Sequence, residues 1–255
     1  MGVRPERAGR LDHGRNSMAV KASKRHRKND EMVDKKKSYL LADAVGLLKK
    51  AAPAKFNETV ELHIKLGVDP KKADQQVRGT VSLPHGTGKT LRVAVLAKGE
   101  KVKEAEAAGA DFAGGTELVD KIAGGFLDFD VLVATPDIMR ETGKLGKVLG
   151  PKGLMPNPKA GTVTTEVGKA VKEIKAGKIE YRVDDQGICH SGIGKIKFEE
   201  SQILGNAQTL IKTLVSVKPA SAKGTYLISA HLSSSMGPGI KVDTTEFTKS
   251  TAKGL

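Results

Sequence analysis

Few residues in this chain have the types and spacing to do chemistry on a small molecule. Gly86-Thr-Gly-Lys-Thr90 carries the end of the phosphate-binding loop G-x-x-x-x-G-K-[ST]. In that loop, backbone amides cradle the phosphates and the lysine reaches the terminal ones. The first glycine would fall at position 83, which is Leu83. The loop must also open a helix whose N-terminus faces the anion, and here a strand pattern follows. Nucleotide hydrolysis is therefore not expected, and the glycines read as a hinge. The six histidines, His63, His85, His190 and His231 among them, show no H-x-x-x-H or H-E-x-x-H spacing for a metal. Asp184-Asp185, with Gly187 just after, suit a turn between strands better than an acid/base pair. Cys189 is the single cysteine, which excludes an intrachain disulfide and a cysteine-cluster zinc site. No catalytic residue, cofactor site or metal ligand is assigned, and no cofactor is expected.

Groups suited to gripping a polymer are more abundant. Lys and Arg number 43 against 29 acids, a net charge of +14. Such an excess points to phosphate-rich polymers or anionic membranes. No stretch approaches the roughly 20 apolar residues of a membrane span, and the N-terminus lacks a secretory apolar core, so nucleic acid is the expected partner. With no Trp, 3 Tyr and 6 Phe, there are few rings to stack on bases. Folded RNA, read through shape, phosphates and 2′-hydroxyls, suits this composition. Two segments stand out. Leu149–Thr162 carries three prolines and projects Lys152 and Lys159 from a loop that can be neither helix nor strand. Ser233-Ser-Ser-Met-Gly-Pro-Gly239 offers hydroxyls, a methionine and a backbone that another polymer can approach closely.

The elements that must position these groups fall into two patterns. Residues 1–38 hold 12 Lys/Arg and 5 Asp/Glu with no apolar stripe, and residues 1–30 read as a disordered basic tail. Met18 is a second possible start. Ser38 is placed to cap a helix carrying Leu41, Ala44, Val45 and Leu48, ended by Pro53. Val60, Leu62, Ile64 and Leu66 alternate as in a half-buried strand, as do Val77–Leu83, Ile179–Val183 and Tyr226–Leu232. An amphipathic helix carries Ile203, Ala207, Leu210, Ile211 and Leu214, ended by Pro219. Between these lie two nearly continuous apolar runs, 91–97 and 129–134, with helices at 101–108, 117–123 and 165–176. Such runs suit parallel strands covered on both faces. The expected fold is an α+β terminal domain, split between 31–85 and 177–245, with an antiparallel sheet and two helices. A Rossmann-like α/β domain is inserted at 86–176, and 246–255 is a tail.

Lys55-Phe-Asn-Glu-Thr-Val60, Leu66-Gly-Val-Asp-Pro70, Arg78–Gly86, the Gly150–Thr162 loop and Ser235-Met-Gly-Pro238 together resemble a known family. It is the universal stalk-protein family of the large ribosomal subunit, conventionally numbered one, in its bacterial form. The resemblance runs from about Tyr39 to Val242 and leaves out residues 1–30. It implies a split terminal domain with a Rossmann-like insertion. It also implies binding to large-subunit (23S-type) rRNA at the mobile stalk beside the tRNA exit site, help in releasing deacylated tRNA, and repression of translation through the protein's own mRNA. The implied location is cytoplasmic and ribosome-associated, without membrane contact or an obligate protein oligomer. The family's RNA contacts fall here on Lys55, Phe56, Thr59, Ser229, Ser235, Met236 and Gly237. Ser235 departs from the threonine of many relatives but keeps the hydroxyl. Lys152 and Lys159 are secondary candidates. An enzyme and a nucleotide-sensing regulator remain the rival classes, and nucleotide titration would separate both from an RNA binder.

Overall fold

The computed structural model describes residues 24–34, 36–51 and 54–247. In chain order the first elements are α1 (Lys24–Met32), α2 (Leu41–Ala51), β1 (Thr59–Leu66) and β2 (Arg78–Ser82). β3 (Val93–Leu96), α3 (Glu100–Ala107), β4 (Phe112–Gly114), α4 (Thr116–Ala123) and β5 (Val131–Ala134) follow. Two short helices, α5 (Met139–Thr142) and α6 (Gly146–Leu149), precede α7 (Val167–Lys175). The chain closes with β6 (Lys178–Arg182), β7 (Ile188–Lys195), α8 (Glu200–Ser216), β8 (Leu227–Ser234) and β9 (Ile240–Val242).

The alternating segments build antiparallel sheets. β1 buries Val60, Leu62, Ile64 and Leu66 and turns Thr59, Glu61, His63 and Lys65 to the other face. It lies inside a four-stranded antiparallel sheet of order β7-β1-β8-β9. α2 and α8 cover the apolar face, and their buried residues share one core with the sheet. α8 opens on a capping box between Glu199 and Gln202, which satisfies amide donors that a helix start leaves free. β2 and β6 pair with each other from Arg78↔Arg182 to Ser82↔Lys178 and form a separate two-stranded sheet. Val81, Leu83 and Tyr181 of this ribbon join the same core. Leu83 N–H donates to Gly177 C=O at 3.3 Å. Gly177 has φ 106°, and a Cβ there would collide with the Gly86 backbone. The chain thus leaves this unit and returns to it side by side.

The continuous apolar runs form a parallel sheet of order β4-β3-β5. β3 explains why its sequence does not alternate. Val93 and Val95 face a core with Val167, Val171 and Ile174 of α7, while Ala94 and Leu96 face Leu118 and Ile122 of α4. Both faces are dry, so both must be apolar.

Several expectations need correction. The disordered tail does not extend through residue 30, because α1 begins at Lys24; just beyond its end, Val33 enters the core of the terminal elements at 2 % exposure. Ser38 does not cap α2; Tyr39 first bridges to Val242, and the Leu40 carbonyl receives the Ala44 amide. The ribbon β2–β6 is not part of the main sheet. Phe247, expected in a tail, packs partly against the core. The Met18 segment, Pro53 and residues 248–255 lie outside the described residues.

Candidate nucleic-acid interface

Helices cover one face of the four-stranded sheet, and among the described residues no helix covers the other, here called the open face. Alternation puts Thr59, Glu61, His63 and Lys65 of β1 on that open face, with Ser229, His231 and Ser233 of β8 beside them. Thr59 and Ser235 lock the rim: Thr59 N–H donates to Ser235 Oγ at 3.1 Å, and Ser235 N–H donates to Thr59 C=O at 3.1 Å. Lys195 Nζ donates to Thr59 Oγ1 at 2.7 Å, which brings a cation to the same rim. Gly237 closes the turn after β8, with its N–H donating to Ser234 C=O at 3.1 Å. A Cβ on Gly237 would strike Ser234 Oγ, so any larger residue here must displace that buried hydroxyl. Met236 stays 48 % exposed.

Glu58 ties this turn to the preceding loop, a role that reading the sequence missed. It is only 1 % exposed. Its carboxylate accepts the Ala54 amide at 3.2 Å through Oε1 and the Met236 amide at 3.1 Å through Oε2. Its own carbonyl accepts the Ile196 amide at 2.9 Å. A buried carboxylate is tolerated when backbone donors satisfy it. The result is a fixed rim from which Lys55 and Phe56 project, with Phe56 56 % exposed. Exposed Phe56 and exposed Met236 give this otherwise polar rim two apolar side chains.

Lys55, Phe56, Thr59, Ser235, Met236 and Gly237 are therefore brought together. Ser229 shares their face but lies opposite Lys65 at the far end of the strands, about 20 Å from Ser235 by strand rise.

A row of imidazoles crosses the middle of the face, His190 and His231 flanking His63 on the neighbouring strands. The Nδ1 atoms of His63 and His190 are 2.8 Å apart, one ring donating and the other accepting. His63 Nε2 lies 3.0 Å from Ser233 Oγ, and His190 Nε2 lies 3.4 Å from Asp184. Burial, then His190, hold the His63 pKa below its ordinary value, against the pull of Glu61. Burial, then Lys241, lower that of His231. Both shifts favour the uncharged imidazole at physiological pH, and a neutral imidazole can donate to a phosphate oxygen and donate to or accept from a 2′-hydroxyl. Their strands are joined by pairing between distant segments, so spacing along the chain carried no sign of the row. The Asp184 turn is as expected: its carboxylate accepts the Gln186 and Ile188 amides at 2.9 and 2.7 Å.

The glycine/proline loop stands apart from this rim. Asn157 organises it, accepting the Lys159 amide at 2.9 Å through Oδ1 and the Thr162 hydroxyl through its carbonyl at 3.1 Å. Its short turn Pro158–Ala160 packs on β2. Lys152 and Lys159 are exposed. Gly86–Thr90 runs into β3 and not into a helix, and the Leu83 side chain is buried in the core. Lys89 Nζ donates to Asp130 at 2.8 Å. That ammonium, then the Arg92 amide, hold the Asp130 pKa down to about 2. The lysine of the phosphate-loop signature is thus occupied by a carboxylate.

Residues 48–238 match the family model described as Ribosomal protein L1p/L10e family. The chain is also similar to the large ribosomal subunit protein uL1 of Protochlamydia amoebophila (strain UWE25). The two are 56 % identical over 224 residues, which is 88 % of this chain and 95 % of that protein.

Proposed function

The chain belongs to the ribosomal protein L1p/L10e family, and on that premise we propose that it is a constituent of the large ribosomal subunit that docks onto folded rRNA through the open face of its four-stranded sheet. The observation that carries this reading is the rim fixed by Glu58, which presents Phe56, Thr59, Ser235, Met236 and Gly237 together beside Lys55 and Lys195. Hydroxyls and bare backbone fit 2′-hydroxyls and phosphates, and the exposed Phe56 and Met236 supply apolar contact. Ser229 extends the same surface along β8.

In this reading the split terminal unit, 31–85 with 177–245, is the RNA-binding domain, and 86–176 is an inserted α/β domain. The protein sits at the mobile stalk beside the tRNA exit site, in ribosomes of the cytoplasm. It follows deacylated tRNA as it leaves, and it represses its own mRNA when that RNA presents a similar fold. No catalytic step is assigned to it. Pairing of β2 with β6 on either side of 86–176 supports the insertion.

The decisive experiment is crosslinking the purified chain to copurifying RNA and sequencing the adducts. Reads should concentrate in one folded element of large-subunit rRNA, with peptides from 54–59 and 229–237. Met236→Asp sets an unpaired carboxylate against phosphates and should weaken binding to that element by more than tenfold. Crosslinks centred on 150–162, with an unaffected Met236→Asp variant, would move the site to the glycine/proline loop.

A further inference from the structure

A second surface of different chemistry lies on the α/β elements. From Pro136 to Gly150 the chain winds through a run of short helical turns, α5 and α6 among them, with helical backbone angles at its junctions. One stripe of this run, Ile138, Thr142, Leu145 and Leu149, is buried. Arg140, Lys144 and Lys147 follow at i, i+4 and i+7 on the opposite side, all exposed, and exposed Lys152 comes just after. Residues three and four apart lie on one helix face, so the cations form a row. Among the described residues none of these four is ion-paired with an acid. Glu141 is the only acid between 139 and 160, and it is taken up by Lys98 at 2.9 Å. Asp137, one turn earlier, leans toward Lys101 at 3.9 Å.

Glycines supply the independent observation. Gly150 is required by the fold, since its Cβ would meet the Gly146 carbonyl at 2.6 Å. Gly143 and Gly146 are not. Their φ values are −56° and −55°, ordinary helical angles, and a Cβ on either would meet nothing within 4 Å. Glycine weakens a helix relative to alanine, and no packing contact among the described residues accounts for either one. They bracket Lys144 at G-x-x-G spacing, which elsewhere lets a nucleic-acid backbone come down against the chain.

We propose that the outer face of this run, Arg140, Lys144, Lys147 and Lys152 with Gly143 and Gly146 between them, is a second RNA-binding surface, and that it takes the sugar–phosphate backbone of a transiently bound folded RNA, not the rRNA docked on the sheet. Its chemistry is unlike that of the sheet rim: cations and bare backbone, without hydroxyl groups or exposed apolar side chains to fix a register. Such a surface holds phosphates independently of sequence and releases them readily. The inference rests on the reading of the exit-site tRNA as a second partner, which makes deacylated tRNA the probe.

The test measures affinity of the full chain for deacylated tRNA and for a stalk rRNA fragment across a salt series. The variants are the triple Arg140→Gln/Lys144→Gln/Lys147→Gln and the double Gly143→Ala/Gly146→Ala. The triple variant should bind tRNA at least tenfold more weakly. Its log–log salt slope should be shallower by roughly two to three units, about one for each phosphate no longer neutralised, while fragment affinity stays within about twofold. The double variant should melt no lower than the parent and yet bind tRNA severalfold more weakly, a pairing that a purely structural role would not produce. Unchanged tRNA affinity in both variants overturns the proposal. So does equal weakening toward both RNAs, or binding to anionic phosphatidylserine vesicles in place of tRNA. Failure of the parent chain to bind the rRNA fragment would instead overturn the rRNA-docking reading and leave the tRNA result standing.

Discussion

Glu58→Gln tests the rim most sharply, because simple electrostatics and the structure predict opposite outcomes. Removing a negative charge beside the proposed phosphate-binding surface should by itself strengthen RNA binding. The structure predicts weakening. Glutamine keeps one oxygen, enough for either the Ala54 or the Met236 amide, now at 3.2 and 3.1 Å from the carboxylate. Its amide group then faces the other N–H, donor against donor. One charge-assisted bond, about 1.5–3 kcal/mol, is lost and a donor is left unmatched. Relief of burying a charge returns part of this, which leaves a net cost of about 1.5–2.5 kcal/mol. For a chain of this size that lowers Tm by about 4–8 °C. If RNA must then reorder the freed turn, the same energy appears as affinity about ten- to seventy-fold weaker. Thermal melts and anisotropy titrations with the rRNA fragment read both quantities. Unchanged or tighter binding with a lowered Tm would show that the rim is not the interface. An unchanged Tm would refute the role of Glu58 itself.

Three further outcomes follow from the geometry. Because His63 and His231 have lowered pKa values, the unfolded chain takes up protons first; stability should be full above about pH 6.5 and fall as the pH drops toward the folded values, and denaturant midpoints that stay flat or rise on acidification would contradict this. Asn206→Ala removes a fully buried amide that donates to Gly86 and Ile193 carbonyls at 2.9 and 2.7 Å and accepts the His85 amide at 3.1 Å; it should cost about 2–4 kcal/mol in urea unfolding, and a loss under about 1 kcal/mol would show that these bonds are replaceable. Replacing residues 87–175 with a short Gly/Ser linker should leave rRNA-fragment affinity within about tenfold, or ~1.4 kcal/mol; loss of most of the affinity would put the main contacts in the α/β elements.

Periodicity along the chain was enough to identify much of this protein. The alternation of β1 and β8, the stripe of α8 and the two-sided burial of β3 and β5 are local patterns, and each element formed where its pattern lay. Leu83, which breaks the phosphate-loop signature, was legible for the same reason. β4 and β9 were not, since three residues carry no period. Nor was β7, whose Ile-Cys-His-Ser-Gly-Ile-Gly-Lys has two glycines and no clean alternation; it becomes a strand because β1, over a hundred residues earlier, supplies its hydrogen bonds. α1 has no apolar stripe. The resemblance to a family pointed to the rim residues one by one, but what joins them is tertiary. Glu58 looks like any surface acid in a lysine-rich stretch until the turn at Met236, 178 residues away, closes over it. The imidazole row exists only because three strands align. Lys89 loses its apparent phosphate role to an aspartate 41 residues on. Side-chain period is a property of neighbours in sequence, whereas burial of a charge and the pairing of strand edges depend on which distant segments meet.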